Sequence, residues 1–431
     1  MKQTTAPSRA SFFASYLVIA ILVSLPVYTL LATWLGSNFG HLDLFRILKE
    51  LCMLPLGVYA AYVVAKNRPL LREWAKSWLV ILILVYGLLT VNYALVSLFR
   101  HSVATNAVLY GLISNLRFLW FMLVVWAVCY GNPLIRRYWV KIVLVPASAA
   151  IGFGLLQKFM LPNDFLRHFG YGPKTIPAIE TVDQKLSYQR IQSSLRGANP
   201  FGAYLVLVLT TTVAYIRRSK YMWALLATGL TALLFTYSRS AWIGLIISLS
   251  VYGWLSVTDP KQRRVILAGV AGLGLLLVLG AWAFRHNTTI QNTVFHSDNT
   301  SHAKTSSNTQ RAGALEKGWH DVEHEPFGRG VGTAGPASVR NGTPRIAENY
   351  YLQIGQEVGW LGLSLFLAIN LLVAHALWIR STPLARVLLA SFIGLTVVNM
   401  ISHAWADDTL SLLWWGLAGV ALSTPAIMNK E

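Results

Sequence analysis

The stretch LFTYSRSAWIGLI, residues 234–246, sets Arg239 inside a run of more than thirty otherwise uncharged, mostly apolar residues between Lys220 and Asp259. A guanidinium in the middle of a hydrocarbon span is costly. A turn removes that cost: a two- or three-residue connection around Ser238 separates one span, 221–237, from the next, 240–256, and brings Arg239 to a membrane surface. The plainest role for such a residue is an interface anchor whose head snorkels to the lipid headgroups. The composition agrees with a membrane protein, because 55% hydrophobic and 12% charged residues over 431 positions leave too little polar surface for a soluble globule.

Apolar windows of about 20 residues recur twelve times, at 11–35, 48–65, 77–99, 107–130, 140–159, 199–216, 221–237, 240–256, 265–284, 353–379, 384–401 and 409–427. The predicted fold is therefore an all-α polytopic membrane protein with about twelve transmembrane helices. The short connections at 66–76, 136–141, 217–220, 261–264 and 380–386 are basic, and with the termini they hold 18 of the 36 Lys and Arg against Glu73, Asp259 and Glu431. By the positive-inside rule they face the cytoplasm, as do both termini. Most of the formal charge of +19 thus encodes orientation, and a nucleic-acid partner is not needed to explain it. Lys2 and Arg9 precede an apolar run too long for a signal-peptide core, which predicts a retained anchor. Cys52 and Cys129 lie in separate apolar runs, so no disulfide framework or CxxC site is available.

The same topology sends two longer polar segments, 160–198 and 285–352, to the outer side. The organisation expected is helices one to five over 1–159, an outer segment over 160–198, helices six to nine over 199–284, a large outer loop over 285–352 and helices ten to twelve over 353–431. The loop begins as a solvated Asn/Ser/Thr-rich stretch (HNTTIQNTVFHSDNTSHAKTSSNTQ) and continues into something more ordered. No P-loop, GxSxG, HExxH or EF-hand pattern occurs, and no cofactor is implied.

Four stretches emerge together on that side: QRIQSSLRGANPFGAYL (189–205), YSRSAW (237–242), TQRAGALEKGWHDVEHEPFGRGVGTAG (309–335) and AENYYLQIGQEVGWLGL (347–363). Their order and wording resemble the O-antigen ligase and polymerase superfamily of bacterial envelope glycosyltransferases. Members show an Arg leading a Gly-x-Asn-Pro turn, matched here by Arg190 or Arg196 with Asn199 and Pro200. A Ser-Arg turn between spans is matched by Ser238 and Arg239. An Arg and Trp before a Gly-rich run are matched by Arg311, Trp319 and residues 326–335, and a His-Asn-x-Tyr-Leu-Gln segment by Glu348 to Gln353. The family histidine is Glu348 in this chain.

The resemblance implies a GT-C-like membrane enzyme. Its reaction would transfer a glycan from an undecaprenyl diphosphate donor to a sugar hydroxyl of lipid A-core, at the periplasmic face of the bacterial inner membrane. A polymerase of the same superfamily is the alternative, favoured by the glutamate at 348; a transporter of lipid-linked glycans is a third reading, disfavoured because charges gather on one face rather than at midplane. Arg239 and Arg311 would stabilise the departing diphosphate through planar, bidentate forks and so dispense with a divalent metal. Glu348 would accept the proton of the attacking hydroxyl, although an acid there also suits the first turn of a helix. Arg190, Arg196, Asn199, His320, His324, Asn349, Tyr351 and Gln353 complete the expected substrate contacts. His320 and His324, four apart among Asp321, Glu323 and Glu325, also look like metal ligands or a solvated helix face. Arg117 near the middle of the fourth span is either paired inside the bundle or on a substrate path. His403, Asp407 and Asp408 in SHAWADD read as caps or acceptor contacts.

Overall fold

Lipid offers the backbone no hydrogen-bond partners, so apolar runs of this length must close their own as helices. The computed structural model describes residues 8–287, 291–295 and 307–424, and each apolar window coincides with a helix. The helices are α1 (Arg9–Phe39), α2 (Leu42–Lys66), α3 (Arg68–Lys76), α4 (Trp78–Phe99), α5 (Thr105–Gly131), α6 (Leu134–Phe159), α7 (Ala198–Ala214), α8 (Lys220–Thr236), α9 (Arg239–Ser256), α10 (Pro260–Ala283), α11 (Ser307–His324), the single turn α12 (Gly335–Ser338), α13 (Tyr350–Arg380), α14 (Pro383–Ile401) and α15 (Asp408–Leu422).

Seven of the described helices are long and apolar enough to cross a membrane, namely α1, α2, α4, α5, α6, α13 and α14. The protein is a multi-pass membrane protein. The shorter apolar helices α7, α8 and α15 have 17, 17 and 15 residues. At 1.5 Å per residue they reach about 22 to 26 Å, less than the hydrocarbon thickness of about 30 Å. All residues of α15 after Asp408 are buried, so protein rather than lipid surrounds it. The two chain ends expected in the cytoplasm, and much of the solvated stretch after residue 285, lie outside the described residues.

Two features depart from the sequence expectation. The connection at 66–76 is itself a helix, α3, which buries Leu70 and sets Trp74 against Trp126 with ring centroids 5.5 Å apart. The outer segment 160–198 is not helical throughout. It carries an antiparallel hairpin, β1 (Glu180–Val182) and β2 (Lys185–Arg190), whose turn residues Asp183 and Gln184 both have positive φ, as a two-residue turn of the primed type demands.

The core of the bundle is aromatic. Trp405, Trp414 and Trp415 are fully buried and packed against Phe392, with Phe118 5.2 Å from Trp415. Helices α9 and α14 approach closely where Gly394 faces Gly244: a Cβ on Gly394 would lie 2.1 Å from the Gly244 carbonyl oxygen. Two small residues therefore fix the height of α9 and of Arg239 at its start.

Helix α13 is broken. Gly359 has φ +67, and a Cβ there would collide with Pro326 and Phe327 of the loop. That loop takes over the interrupted ladder, since Arg329 N–H and Gly330 N–H donate to the carbonyls of Gln356 and Glu357, and Trp360 N–H donates to Pro326. The segment 350–358 thus belongs with the outer loop. The remaining 21 residues, 360–380, span about 31 Å, matching a bilayer core.

Candidate functional site

The termini of the helices sort the loops into two groups. Arg136 donates to Ser423 Oγ, and Arg380 donates to the carbonyls of Leu422 and Thr424, so the basic connections cluster at one end of the bundle. The candidate site occupies the other end.

There the hairpin docks on the end of α8. Ile191 N–H donates to Phe235, and Arg190 Nε to the Thr236 carbonyl at 2.8 Å, while Arg190 Nη2 donates to Asn199 Oδ1. Asn199 sits in the first turn of α7, whose Ala198 N–H is received by the Glu180 carboxylate in place of a side-chain cap from Gly197. Immediately after Thr236 the chain turns through Tyr237, at φ +49, and Ser238, so that Arg239 begins α9. The expected turn is therefore present. Arg239 donates to Asn308 Oδ1 at 2.6 Å and to the Phe295 carbonyl at 3.3 Å.

Asn308 lies in the first turn of α11, and Arg311 follows three residues later on the same side. The guanidinium groups of Arg190, Arg239 and Arg311 consequently act on one another, with Glu180 and Asp183 of the hairpin as nearby acids. Burial pulls Arg190 below the usual arginine value, Glu180 opposes this, and Arg311 adds to it. Three like charges drawn together by backbone architecture form a place for a multiply charged anion.

Arg196 leads elsewhere. Its Nη1 donates to Tyr110 at 3.1 Å, and it feels the carboxylates of Asp407 and Asp408. Beneath it lies a balanced network in which Lys49 pairs with Asp408 at 2.6 Å and with Glu50 at 3.2 Å, and Arg117 pairs with Glu50 at 3.1 Å and donates to the Ala406 carbonyl. Arg117 is thus paired inside the bundle. Asp407 caps α15 by accepting from Leu410 N–H, which bears out the capping alternative for that residue.

The segment 345–353 carries Glu348, the acid of the sequence expectation. Asn349 is the N-cap of α13: its Oδ1 accepts from Tyr351 and Leu352 N–H, and its Nδ2 donates to the Met400 carbonyl. Capping thus falls to Asn349, and Glu348, one residue earlier, is left half-buried at φ +52. A non-glycine residue held at positive φ is a local strain that surrounding contacts must fix. Tyr350 N–H donates to the Ser402 carbonyl at 3.2 Å, which fastens the turn at 402–407 to the start of α13, and the charge of Glu348 acts on His403. Tyr351 is buried against Phe366, and Gln353 is buried beneath Gly335, where a Cβ would meet its amide at 2.2 Å. Neither side chain faces open space as the resemblance led one to expect.

The Gly-rich run is a tight turn. Gly328, Gly330, Gly332 and Gly335 all have positive φ, and a Cβ on Gly332 would meet the Ala107 backbone at 2.7 Å. Glu357, fully buried, organises it by accepting from Gly332 N–H at 2.9 Å, Ala334 N–H at 3.4 Å and Asn115 Nδ2 at 2.6 Å.

His320 and His324 are not brought to the arginines. On a helix of 100° per residue, Gly318 and Val322 lie within about 20° of Arg311, whereas His320 and His324 lie about 180° and 140° away. Gly318 and Val322 pack against Ala347 and Leu352; the two imidazoles stack on each other at 4.0 Å on the exposed side. Two of their acidic neighbours turn inward, Arg345 binding Asp321 at 2.7 Å and Glu325 at 2.8 Å, while Glu323 stays exposed. Although burial alone would raise it, Arg345 holds the Asp321 carboxyl below its usual value. Among the described residues no three His, Cys, Asp or Glu side chains converge as a metal-ligand set.

The features so far define a multi-pass membrane protein with an arginine cluster at one end of its bundle. Residues 224–367, about a third of the chain, match the family model described as O-antigen ligase. That match covers the stretch bearing Arg239, Arg311 and Glu348 and supports the O-antigen ligase and polymerase superfamily that the sequence resembles. No curated protein matches the chain.

The site residue underweighted by sequence reasoning is His403. Its signal lies in SHAWADD, which reads as caps or acceptor contacts, but nothing in the spacing ties that turn to the start of α13.

Proposed function

We propose that the protein is an O-antigen ligase-like glycosyltransferase, moving a glycan from undecaprenyl diphosphate to a sugar hydroxyl of lipid A-core at the periplasmic face of the inner membrane. What supports this reading above all is the convergence of Arg190, Arg239 and Arg311 across three separate chain segments. A diphosphate leaving group accumulates negative charge as its bond to the anomeric carbon breaks. Preorganised guanidinium groups stabilise that charge most when it is largest, which lowers the barrier. Arg196, already matched to Tyr110 and a pair of acids, is left to the acceptor side.

Glu348 accepts the proton of the attacking hydroxyl. The arginines take the charge-neutralising role a divalent ion has elsewhere. The test is purified protein with lipid-diphosphate glycan and acceptor: released undecaprenyl diphosphate with a newly linked acceptor supports the enzyme, and binding without turnover supports a carrier. The glutamate at the family histidine position favours a second reading, a polymerase. Gene deletion followed by a gel of envelope glycans separates the two. Loss of all polymer on lipid A-core indicates a ligase, and one repeat unit retained per core indicates a polymerase.

A further inference from the structure

Helices α2 and α5 begin at the same end of the bundle as the candidate site, because α2 runs down to the basic connection at Lys66 and α5 to the one after Gly131. Four chain segments meet there in an unbroken series of contacts that the donor corner does not involve. Arg46 of α2 pairs with Asp43 at 3.7 Å, and Arg340, in the turn after α12, pairs with the same carboxylate oxygen at 3.1 Å. The Arg340 guanidinium lies over the Tyr110 ring of α5, 4.8 Å from its centroid, and Arg196 donates to the Tyr110 hydroxyl at 3.1 Å. Asn341 fixes the turn by accepting from Ala104 N–H at 2.8 Å. The charges here do not balance. Arg46 and Arg340 share one acid that is itself 71% exposed, and Arg196 has only a neutral hydroxyl and the more distant charge of Asp407. The ion pairs beneath, of Lys49 and Arg117 with Glu50 and Asp408, are already matched among themselves.

We propose that Arg46, Arg196 and Arg340 hold a phosphate on the headgroup of the acceptor lipid, as a second anion site beside the donor corner of Arg190, Arg239 and Arg311. This rests on the glycosyl-transfer reading of the site and names the acceptor class, a phosphate-bearing glycolipid. The depth is right for a headgroup. Arg46 follows the first residue of α2 by four positions and Tyr110 that of α5 by five, about 6 to 8 Å along the axis, which lies within or just beneath the interfacial layer. Leu44, Ile47 and Leu48 around Arg46 are exposed apolar side chains, so lipid reaches the protein at this level. The position beside the donor also follows from the chain, since Arg190 donates to Asn199, three residues beyond Arg196, and one short loop thus carries an arginine of each site. A lone interface anchor extends its head to water. Here three guanidinium groups from separate segments are instead gathered around one tyrosine and one exposed acid, and phosphate oxygens accept the forked N–H pairs such groups present.

The test is binding, read without turnover. The full-length protein in nanodiscs of neutral lipid is titrated with lipid A-core and with its dephosphorylated form, and bound lipid is followed by native mass spectrometry. Wild type should bind the phosphorylated form about tenfold more tightly, and the double variant Arg46→Gln, Arg340→Gln should erase that preference. Asp43→Asn removes the competing acid and should instead tighten binding of the phosphorylated form, whereas a purely structural staple would lose stability with no gain in affinity. Asp43→Asn without that gain, equal affinity of wild type for the two forms, a preference that survives in the double variant, or displacement of lipid A-core by an equal concentration of phosphatidylglycerol overturns the site. If phosphate-selective binding is found but wild-type protein transfers no glycan, the transferase reading fails and the site stands. If glycan passes equally to the phosphorylated and dephosphorylated acceptors, the site fails and the transferase reading stands.

Discussion

The Nε of Arg190 donates to the carbonyl of Thr236 at 2.8 Å, three residues before Arg239. This bond ties the outer hairpin to the helix turn, so two arginines almost fifty residues apart share one anion-binding corner. Of the two candidates for the first arginine of the family pattern, Arg190 is the one this bond sets beside Arg239.

Replacing Arg239 or Arg311 by Ala should lower turnover per folded molecule by about 10²-fold or more, by analogy with loss of one oxyanion donor. Arg239→Lys keeps the charge without the planar fork and should recover part of the activity. Expression and thermal stability should stay close to wild type, since both guanidinium groups are only half-buried. Normal turnover in Arg239→Ala would leave that residue as a headgroup anchor.

Glu357→Ala removes the acceptor for Gly332, Ala334 and Asn115. Each buried donor left without a partner costs about 1–3 kcal/mol. The expected result is a lower melting temperature in detergent and faster proteolysis within residues 326–335. A melting curve and cleavage pattern like wild type would show that the turn does not depend on this carboxylate.

Gly394→Leu should separate α9 from α14, because even a single added carbon meets the Gly244 carbonyl. Overpacking of this kind costs about 1–3 kcal/mol. The check is purification yield and melting temperature. A variant as stable as wild type would argue against the close crossing.

Turnover should survive EDTA. Activity that disappears on chelation and returns with Mg²⁺ or Mn²⁺ would transfer the charge-neutralising role from Arg190, Arg239 and Arg311 to a metal ion.

For orientation, cysteines at Ser187 and Ser219, both exposed, give a direct assay. An impermeant thiol reagent applied to spheroplasts should label Ser187→Cys in the hairpin and spare Ser219→Cys in the basic connection. The reverse pattern would invert the topology.

Much of the architecture was legible in the sequence, because spans are recorded in runs of apolar residues and turns in residues such as Ser238 and Arg239. Three things were not. The hairpin at 180–190 is too short and polar to give a periodic signal. The break at Gly359 depends on hydrogen bonds from residues 326–330, which no local pattern within 350–363 reveals. The WHDVEHEPF cluster looked convergent because its acids and histidines are close in sequence, yet Arg345 claims Asp321 and Glu325 from more than twenty residues and twenty residues away, respectively. Asn349 shows the same limit at shorter range: wording shared with a family does not say which residue caps the helix and which is released to the site.

The interruption at Gly359 has a mechanical meaning. A continuous helix would carry every change of tilt, and tilt follows the thickness of the surrounding bilayer, straight to the residues at its outer end. With the axis broken at residue 359 and 350–358 bonded to the loop, the segment 360–380 can settle at the inclination its lipids impose while Tyr350 keeps its bond to Ser402. A helix broken in this way lets the outer loop and the membrane-spanning segment follow different constraints.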